Sequence, residues 1–557
     1  MTSEANENET MKTERAEAKK TGKPETPRWV TIAAIASLPG ALLIYLLRLD
    51  RVVGLFVDDG WYVLLAKSLA TGQGYSLINS PSPGILPLYP PAFPFLLSLF
   101  YRISPDFPGN IWLLKSVSIA AMMGVGVIAY RYFIERKLPA HLALAISVAS
   151  VLSPPLVFLA TSTVMSECVF ALNFLGAIFV MEKCVRAGKS AKGVQLAIAG
   201  AALASIGFLT RSIAIALVAA GFLYLLKARL IKSAIIFAAA VVAFASPWVI
   251  YTKLHAPTPE QQWEQGGHIV LPYTTQFWQK RRFSGAATTA DLPERVMSNV
   301  IEITGRDVGR IVVTPLFEAM RDPFAEAQRQ DVQEGGRGDT WSVSFFLSVF
   351  AIIGLMATIR EKMTMAELAV PLSLAIIVLW PWETFRFVLP LIPFVIFYFA
   401  IGVRTVYLLA QRLNPGRQWA APAVLVALIA ATNLYGNVTY LMRKYDPLDY
   451  PRWLQSFDEA EAMFKWVADH AAQSDVIATS NPPLTHLYTG NKTIASDDPA
   501  ARWDNWNRLG VRYLVRVSIY PEALDPSESN FKIPYRAREM GNFRVIDLGQ
   551  PGSRPVW

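Results

Sequence analysis

Long apolar segments recur along most of this 557-residue chain, and they limit its fold more than any other feature. Each segment approaches the roughly 20 residues that a helix needs to cross a bilayer. We count about eleven of them. They cover residues 29–47, 111–130, 141–160, 165–183, 193–210, 212–227, 231–251, 341–358, 366–381, 385–407 and 419–440. A further apolar stretch from Pro91 to Ile103 is too short to cross alone. Because 53% of the residues are hydrophobic, the sequence predicts a mainly α-helical, polytopic membrane protein.

The positive charges of the chain lie in alternate short loops between these segments. The formal net charge is +9, but Lys and Arg are not gathered on one basic face, so we expect no nucleic-acid partner. Positive loops stay on the cytoplasmic side of a membrane. The pattern therefore predicts a multi-pass protein of the cell (inner or plasma) membrane, with a cytoplasmic N-terminus and an extracytoplasmic C-terminal part.

Composition divides the chain into three regions. Residues 1–28 mix Glu with Lys and Arg and contain no apolar core, which predicts a disordered cytoplasmic tail. Residues 29–444 form the membrane domain, with an uncleaved first span and outer loops at 48–110 and 252–340. Residues 445–557 combine an amphipathic pattern with short β-type runs. That combination predicts a small extracytoplasmic α/β domain.

Two adjacent carboxylates, Asp58 and Asp59, follow the first span. At the membrane edge they can stay ionised without lying in hydrocarbon. The stretch from Gly60 to Thr71 has apolar residues at helical spacing, so we expect a short helix that lies in the membrane interface. Asp59 can cap the start of this helix, a role that contributes about 1 kcal/mol. A catalytic role and a capping role both stay open for Asp59. Because one cap uses only one side chain, a capping role is less expected for Asp58.

Two arginines are predicted on the same side as these acids. Arg211 interrupts a long apolar stretch and indicates a hairpin between two spans, and Arg386 opens a later span. Arg211 can extend to lipid phosphate or bind the phosphate of a substrate, since guanidinium suits both roles. Glu167, which begins the fourth span, and Glu383 are further acidic candidates on this side.

Several other chemistries lack their motifs. Gly188-Lys189-Ser190 has no upstream glycine of a phosphate-binding loop, and neither Gly-x-Gly-x-x-Gly nor His-Glu-x-x-His occurs. We therefore expect no nucleotide or redox cofactor and no zinc peptidase site. The charged candidates gather at the outer helix ends rather than mid-span, where ion-coupled transporters place them.

The ordered motifs of the membrane region resemble the C-type glycosyltransferases that use polyprenyl-phosphate sugars, in the branch of aminoarabinose transferase and the protein O-mannosyltransferases. The resemblance rests on motifs that follow one another along the chain. They are Asp58-Asp59 with Trp61-Tyr62, Tyr89-Pro90-Pro91, Ser166-Glu167, Leu209-Thr210-Arg211 and the run from Arg386 to Pro393.

This resemblance implies a transferase that moves a sugar from a polyprenyl-phosphate donor to a lipid, glycan or other acceptor, with inversion. Asp58 would be the general base and Asp59 the second choice. The other roles would be donor-phosphate binding by Arg211 and Arg386, acceptor or cation binding by Glu167 and Glu383, and a pocket wall of Tyr62 and Tyr89. Dependence on a divalent cation stays open, and the chain departs from the protein mannosyltransferases, which have Asp-Glu in place of Asp58-Asp59.

A non-catalytic flippase or transporter of lipid-linked saccharides is the alternative function. It also needs many spans and surface arginines. A transporter should offer polar groups to both faces or to the bilayer centre. The concentration of candidate residues on one face favours the enzyme.

Overall fold

The computed structural model of the protein describes residues 27–82, 89–256, 258, 273–280, 285–313, 340–382, 384–410, 418–448, 450–496, 499–517, 537–540 and 543–548. Within these ranges, helices follow the predicted apolar segments. The helices up to the long 252–340 loop are α1 (Arg28–Arg48), α2 (Asp58–Ala70), α3 (Ala92–Ile103), α4 (Ile111–Glu135), α5 (Ala140–Val151), α6 (Pro154–Thr161), α7 (Glu167–Ala187), α8 (Ala191–Thr210), α9 (Ile215–Lys227) and α10 (Ile231–Leu254).

The 252–340 loop contains helices of its own. They are α11 (Tyr273–Phe277), α12 (Leu292–Glu302) and α13 (Val308–Val312), the last two joined by a π-helical turn at Ile303–Asp307. Asn299 of α12 donates hydrogen bonds to the backbone carbonyls of Val378 and Trp380, which ties the loop to the end of a membrane helix. The remaining membrane helices are α14 (Thr340–Lys362), α15 (Ala366–Leu379), α16 (Phe385–Val388), α17 (Ile392–Ala410) and α18 (Ala420–Lys444).

The described part of the chain has 8 helices that are long and apolar enough to cross a membrane, or up to 9 if a bent pair counts as one span. The bent pair is α5 and α6, which meet at 48°. Pro154 and Pro155 begin α6 and carry no N–H group, so they cannot continue the hydrogen-bond ladder of α5. Two predicted spans, at Ser212–Lys227 and Ala366–Leu379, are helical but shorter than this length criterion.

Small residues allow the membrane helices to pack closely. Helices α14 and α17 cross at Gly354 and Gly402, where a Cβ on either residue would overlap a backbone carbonyl of the other helix. Close backbone approach of this kind is the usual packing mode in a bilayer, where apolar side chains gain little from meeting each other rather than lipid.

The described residues of the C-terminal region form a five-stranded sheet and three helices. The helices are α19 (Arg452–His470), α20 (Pro482–Thr489) and α21 (Pro499–Leu509), and the strands are β1 (Val476–Thr479), β2 (Lys492–Ala495), β3 (Val511–Arg516), β4 (Ala537–Met540) and β5 (Phe543–Asp547). The strand order is β2-β1-β3-β5-β4. Strands β2, β1 and β3 are parallel, and β5 pairs antiparallel with both β3 and β4.

Two hydrophobic cores support this region. Trp503 and Trp506 of α21 pack with one face of the sheet in a small separate core. Helices α19 and α20 instead belong to the large core that continues into the membrane helices, through residues such as Phe464 and Leu484. The C-terminal region therefore packs directly on the membrane domain.

Candidate active site

Helix α2 begins at Asp58 and carries both acids in its first turn. Its apolar residues meet protein rather than lipid, because Trp61, Leu64 and Leu65 are buried inside the protein. That the helix lies at the level of the membrane interface stays a prediction. Gly60 faces Pro483 of α20, so the C-terminal region covers one side of the helix. The two acids occupy very different surroundings as a result.

Asp59 is fully buried and turns back to the loop before the helix. Its carboxylate accepts hydrogen bonds from the backbone N–H of Gly54 at 2.8 Å and of Phe56 at 3.1 Å. The predicted N-cap role is wrong, because Asp59 lies inside the first turn and Val57 holds the cap position without a side-chain bond. Burial raises the pKa of Asp59 to about 6, against the lowering effect of its two backbone hydrogen bonds.

Asp58 remains partly accessible, with 30% of its side chain exposed. Tyr89 donates its hydroxyl to Oδ1 at 2.8 Å, and Nη2 of Arg386 lies 3.1 Å from Oδ2. Burial, followed by the nearby Asp58 charge, raises the pKa of Tyr89 well above its usual value, so this phenol stays a donor. Both oxygens of Asp58 are thereby held in place.

Glu167 lies at the start of α7 and is fully buried. Its Oε1 contacts Nη1 of Arg211 at 2.9 Å and Nη2 of Arg386 at 3.2 Å. Its Oε2 is buried and has no hydrogen-bond partner within the described residues. A buried acceptor without a donor is costly, so this oxygen is suited to a ligand hydroxyl.

Arg211 lies at the break between α8 and a short 3₁₀ turn. Only 10% of its side chain is exposed, and Nη1 also donates to Oγ of Ser166 at 3.1 Å. The guanidinium therefore points into the protein rather than toward lipid. Ser166 in turn lies 3.3 Å from the hydroxyl of Tyr62, which joins α2 to this cluster.

Aromatic rings line the cluster. Tyr62 packs edge-on against Tyr89 and Phe93, each at 5.1 Å between centroids. That Tyr62 and Tyr89 form a pocket wall stays a prediction. The guanidinium of Arg386 lies 4.8 Å from the ring of Phe56, and that of Arg211 lies 5.4 Å from Phe387. Such cation–π contacts orient a guanidinium while leaving hydrogen-bonding N–H groups for a ligand.

The structure therefore brings together most of the residues singled out from the sequence: Asp58, Glu167, Arg211, Arg386, Tyr62 and Tyr89. Asp59 lies beside this group but faces the loop. Glu383 lies outside the described residues. Sequence reasoning missed the contacts of Ser166, Phe56 and Phe387. Their signal is adjacency, since each lies within two positions of Glu167, Asp58 or Arg386.

The described acids of this cluster do not form a divalent-cation site on their own. Among the described residues, no group of three or more His, Cys, Asp and Glu side chains could hold a metal ion. Among the described residues, Asp58 and Glu167 are the acids that contact Arg386, and both are paired with it. A hard cation prefers six or more oxygen ligands and would meet two guanidinium charges here.

A second buried charged cluster lies at the opposite end of the bundle and corrects the expectation that charges gather at one end. Arg136 contacts Glu367 at 2.8 Å and Glu182 at 3.4 Å. Glu182 and Glu167 belong to one helix and are separated by about 22 Å at 1.5 Å per residue. The hydroxyls of Thr364, Tyr132 and Tyr398 donate to the two carboxylates. This cluster could not be predicted from the sequence, because its members come from distant segments.

No model of a known protein family matches the chain, and no curated protein matches its sequence. Solved structures do match its fold. The Archaeoglobus fulgidus oligosaccharyltransferase in complex with Zn and sulfate has a TM-score of 0.51 and 12% identity, over 86% of this chain and 67% of that one. The archaeal oligosaccharyltransferase AglB, also from Archaeoglobus fulgidus, in complex with an inhibitory peptide and a dolichol-phosphate has a TM-score of 0.50 and 11% identity, over 89% of this chain and 70% of that one.

ArnT from Cupriavidus metallidurans bound to undecaprenyl phosphate is also similar, with a TM-score of 0.46 and 14% identity over 94% of this chain and 100% of that one. At the identities seen for the archaeal enzyme, the likeness shows the fold alone. The predicted fold is confirmed: the chain has the polytopic helical fold of the archaeal oligosaccharyltransferase, with a small C-terminal sheet region.

Proposed function

From this shared fold, we propose that the chain is an integral membrane glycosyltransferase. It moves a sugar from a polyprenyl-phosphate donor to a lipid or glycan acceptor on the extracytoplasmic face of the cell membrane. One observation carries the proposal: Arg386 contacts both the partly exposed Asp58 and the buried Glu167, and Arg211 reaches the same Glu167 oxygen. Two guanidinium groups thus lie beside one accessible carboxylate.

The neighbouring structures support the lipid-phosphate part of this proposal. One structure of the archaeal enzyme contains a dolichol-phosphate, which is a phosphate on a polyprenyl-type tail. The present chain shares that fold and offers two arginines at one end of its bundle. Paired hydrogen bonds from a planar guanidinium are a preferred means of holding phosphate.

In the proposed reaction, the donor phosphate binds Arg386 and Arg211 in place of their carboxylate partners. Its negative charge competes with the carboxylates of Asp58 and Glu167 for the same guanidinium groups. When Nη2 of Arg386 turns to phosphate, Oδ2 of Asp58 loses its partner, while Tyr89 still holds Oδ1. Donor binding thereby releases one oxygen of the base and keeps its orientation.

The freed oxygen of Asp58 then accepts the proton of the acceptor hydroxyl. The acceptor oxygen forms a bond to the anomeric carbon as the bond between that carbon and the phosphate oxygen breaks. Polyprenyl phosphate leaves with its charge stabilised by the arginines. A single displacement of this kind inverts the anomeric configuration.

Glu167 has a supporting role in this scheme. Its Oε1 holds Arg211 and Arg386 together before the donor arrives, and its Oε2 can accept a hydrogen bond from a sugar or acceptor hydroxyl. Asp59 acts through the loop that it holds rather than on the reacting atoms. The scheme uses no cation and no nucleotide.

The test is transfer by the purified protein in lipid nanodiscs. Labelled polyprenyl-phosphate sugars are supplied with a lipid extract, and the release of polyprenyl phosphate is measured with the appearance of labelled product. We expect turnover with at least one donor, and a rise in thermal stability with polyprenyl phosphate but not with polyprenol. The same protein is also placed in liposomes. Movement of intact labelled donor from one leaflet to the other without sugar transfer would instead establish the transporter.

A further inference from the structure

The backbone just before Asp58 adopts a conformation that a valine rarely takes. Val57 has φ 61° and ψ −47°, and the N–H of Asp58 donates to the carbonyl of Phe56 at 2.6 Å. This is a γ-turn whose central residue has a positive φ and a negative ψ, a rare and strained form. A β-branched residue at positive φ is an outlier. The turn decides the direction in which Asp58 leaves the loop.

A strained turn persists only where its surroundings hold it. On the membrane-domain side, Asp59 binds the N–H groups of Gly54 and Phe56, the two residues that bracket the loop. Gly54 itself has φ +86°, and its carbonyl accepts the N–H of Val57 at 3.3 Å. Hydrogen bonds to both the N–H and the carbonyl of Gly54 therefore support the turn.

The C-terminal region supplies the other half of this support. Asn481 is 3% exposed, and its Nδ2 donates to the carbonyl of Gly54 at 2.8 Å. Its Oδ1 accepts the N–H of Leu484, so the same side chain caps α20. A Cβ at Gly54 would lie 2.5 Å from the side chain of Leu484, which shows how closely α20 covers the loop.

We propose that Asn481 is a positioning residue for Asp58: by fixing Gly54 it holds the strained turn at Val57 and so aims the base. This inference rests on the proposed function, in which Asp58 takes the acceptor proton. The C-terminal region then completes the active site rather than forming a separate module. Small displacements of a reacting group are enough to matter, since a shift of about 1 Å can cost about 100-fold in rate.

The chain offers a matched control in Asn79. This residue is also buried, and its Nδ2 also crosses to the C-terminal region, where it donates to Oγ1 of Thr493 at 3.0 Å. Asn79 has no hydrogen bond to residues 54–59 within the described structure. Asn79→Ala therefore removes one interface contact of the same kind without touching the turn.

The decisive variant is Asn481→Asp. A carboxylate keeps the acceptor that caps α20, since Asp is as good a capping residue as Asn, but it cannot donate to Gly54. The experiment compares Asn481→Asp, Asn481→Ala, Asn79→Ala and the wild type as full-length proteins in nanodiscs. Two quantities are measured: the turnover number with its KM for donor, and deuterium uptake by the peptide that covers residues 52–60.

Both Asn481 variants should take up deuterium faster in this peptide, and their turnover number should fall about 10- to 100-fold with little change in KM. Asn79→Ala should match the wild type in both measurements. Wild-type uptake or turnover in Asn481→Asp would overturn the proposal, and so would an equal loss in Asn79→Ala. If the wild type transfers no sugar, the proposed function fails, and the uptake comparison still decides whether Asn481 holds the turn.

Discussion

Nη2 of Arg386 and Oδ2 of Asp58 lie 3.1 Å apart, although 328 positions separate the two residues in the chain. Nη2 of the same guanidinium lies 3.2 Å from Glu167 at the start of α7. Arg386 therefore connects the loop after the first span to two later membrane helices. Any anion that binds Arg386 must compete with these carboxylates, which couples donor binding to release of the proposed base.

The first prediction concerns the fork geometry of Arg386. Arg386→Lys keeps the positive charge but loses the planar pair of donors, so it cannot bind phosphate and orient Asp58 in the same way. Loss of one charge-assisted hydrogen bond lowers the rate by roughly tenfold or more. Turnover of polyprenyl-phosphate sugar measures the effect, and Arg386→Ala should lose more than Arg386→Lys.

Arg102 provides the control for this substitution. It is an exposed arginine in the last turn of α3, where it donates to the carbonyl of Leu69. Arg102→Lys should leave turnover unchanged. Arg211→Lys is expected to resemble Arg386→Lys, because Arg211 is also turned into the protein by Glu167 and Ser166. Full activity in both lysine variants would mean that the donor phosphate is held elsewhere.

The second prediction concerns the base. Asp58→Asn keeps the size of the side chain and can still contact Tyr89, but an amide cannot accept the proton of the acceptor hydroxyl. Turnover should fall by at least about 100-fold, the usual contribution of a general base. The variant should keep its expression level and melting temperature, because Asp58 is partly exposed.

Asp106 serves as the matched acid for this experiment. It is an exposed carboxylate in the loop between α3 and α4, and Asp106→Asn should behave as the wild type. Activity that survives in Asp58→Asn but is lost in Asp59→Asn would reverse the assignment of the two acids. Activity in both variants would remove acid–base chemistry from this loop.

Much of the fold could be predicted because apolar length and local motifs are written directly in the sequence. Helices form at all of the predicted apolar segments. The break between α5 and α6 was missed, although Pro154 and Pro155 signal it. A long apolar run conceals such a break, since hydropathy does not register a missing N–H group.

The site was only partly predictable, because its geometry depends on contacts between distant segments. Residue types and adjacency were enough to select Asp58, Glu167, Arg211 and Arg386. They could not show that Asp59 turns back to Gly54, because that follows from the strained loop rather than from the acid itself. The cluster around Arg136 was not predicted for a related reason, since no local sequence pattern marks partners that come from separate helices.

The third prediction concerns orientation. Ser474 is exposed in the C-terminal region and Lys189 is exposed in the loop between α7 and α8. The positive loops predict that a cysteine at position 474 reacts with an impermeant reagent on intact cells. A cysteine at position 189 should react only after permeabilisation. The natural Cys168 and Cys184 are buried, so they should contribute little background. The reverse labelling pattern would place the Asp58 end of the bundle in the cytoplasm.

The last prediction follows from the burial of Asp59, which raises its pKa to about 6, compared with about 4 in an unfolded chain. Between these two values the folded protein binds a proton that the unfolded chain has released. The free energy of unfolding must therefore decrease as pH rises from about 4 to about 6, and this contribution is constant at higher pH. Asp59→Asn removes the titrating group. Melting temperatures of the wild type and Asp59→Asn are measured in one detergent from pH 4 to 7.5. The melting temperature of the wild type relative to that of Asp59→Asn should fall as pH rises to about 6 and should then stay level. Parallel curves over the whole range would show that Asp59 titrates in the folded protein as it does in the unfolded chain.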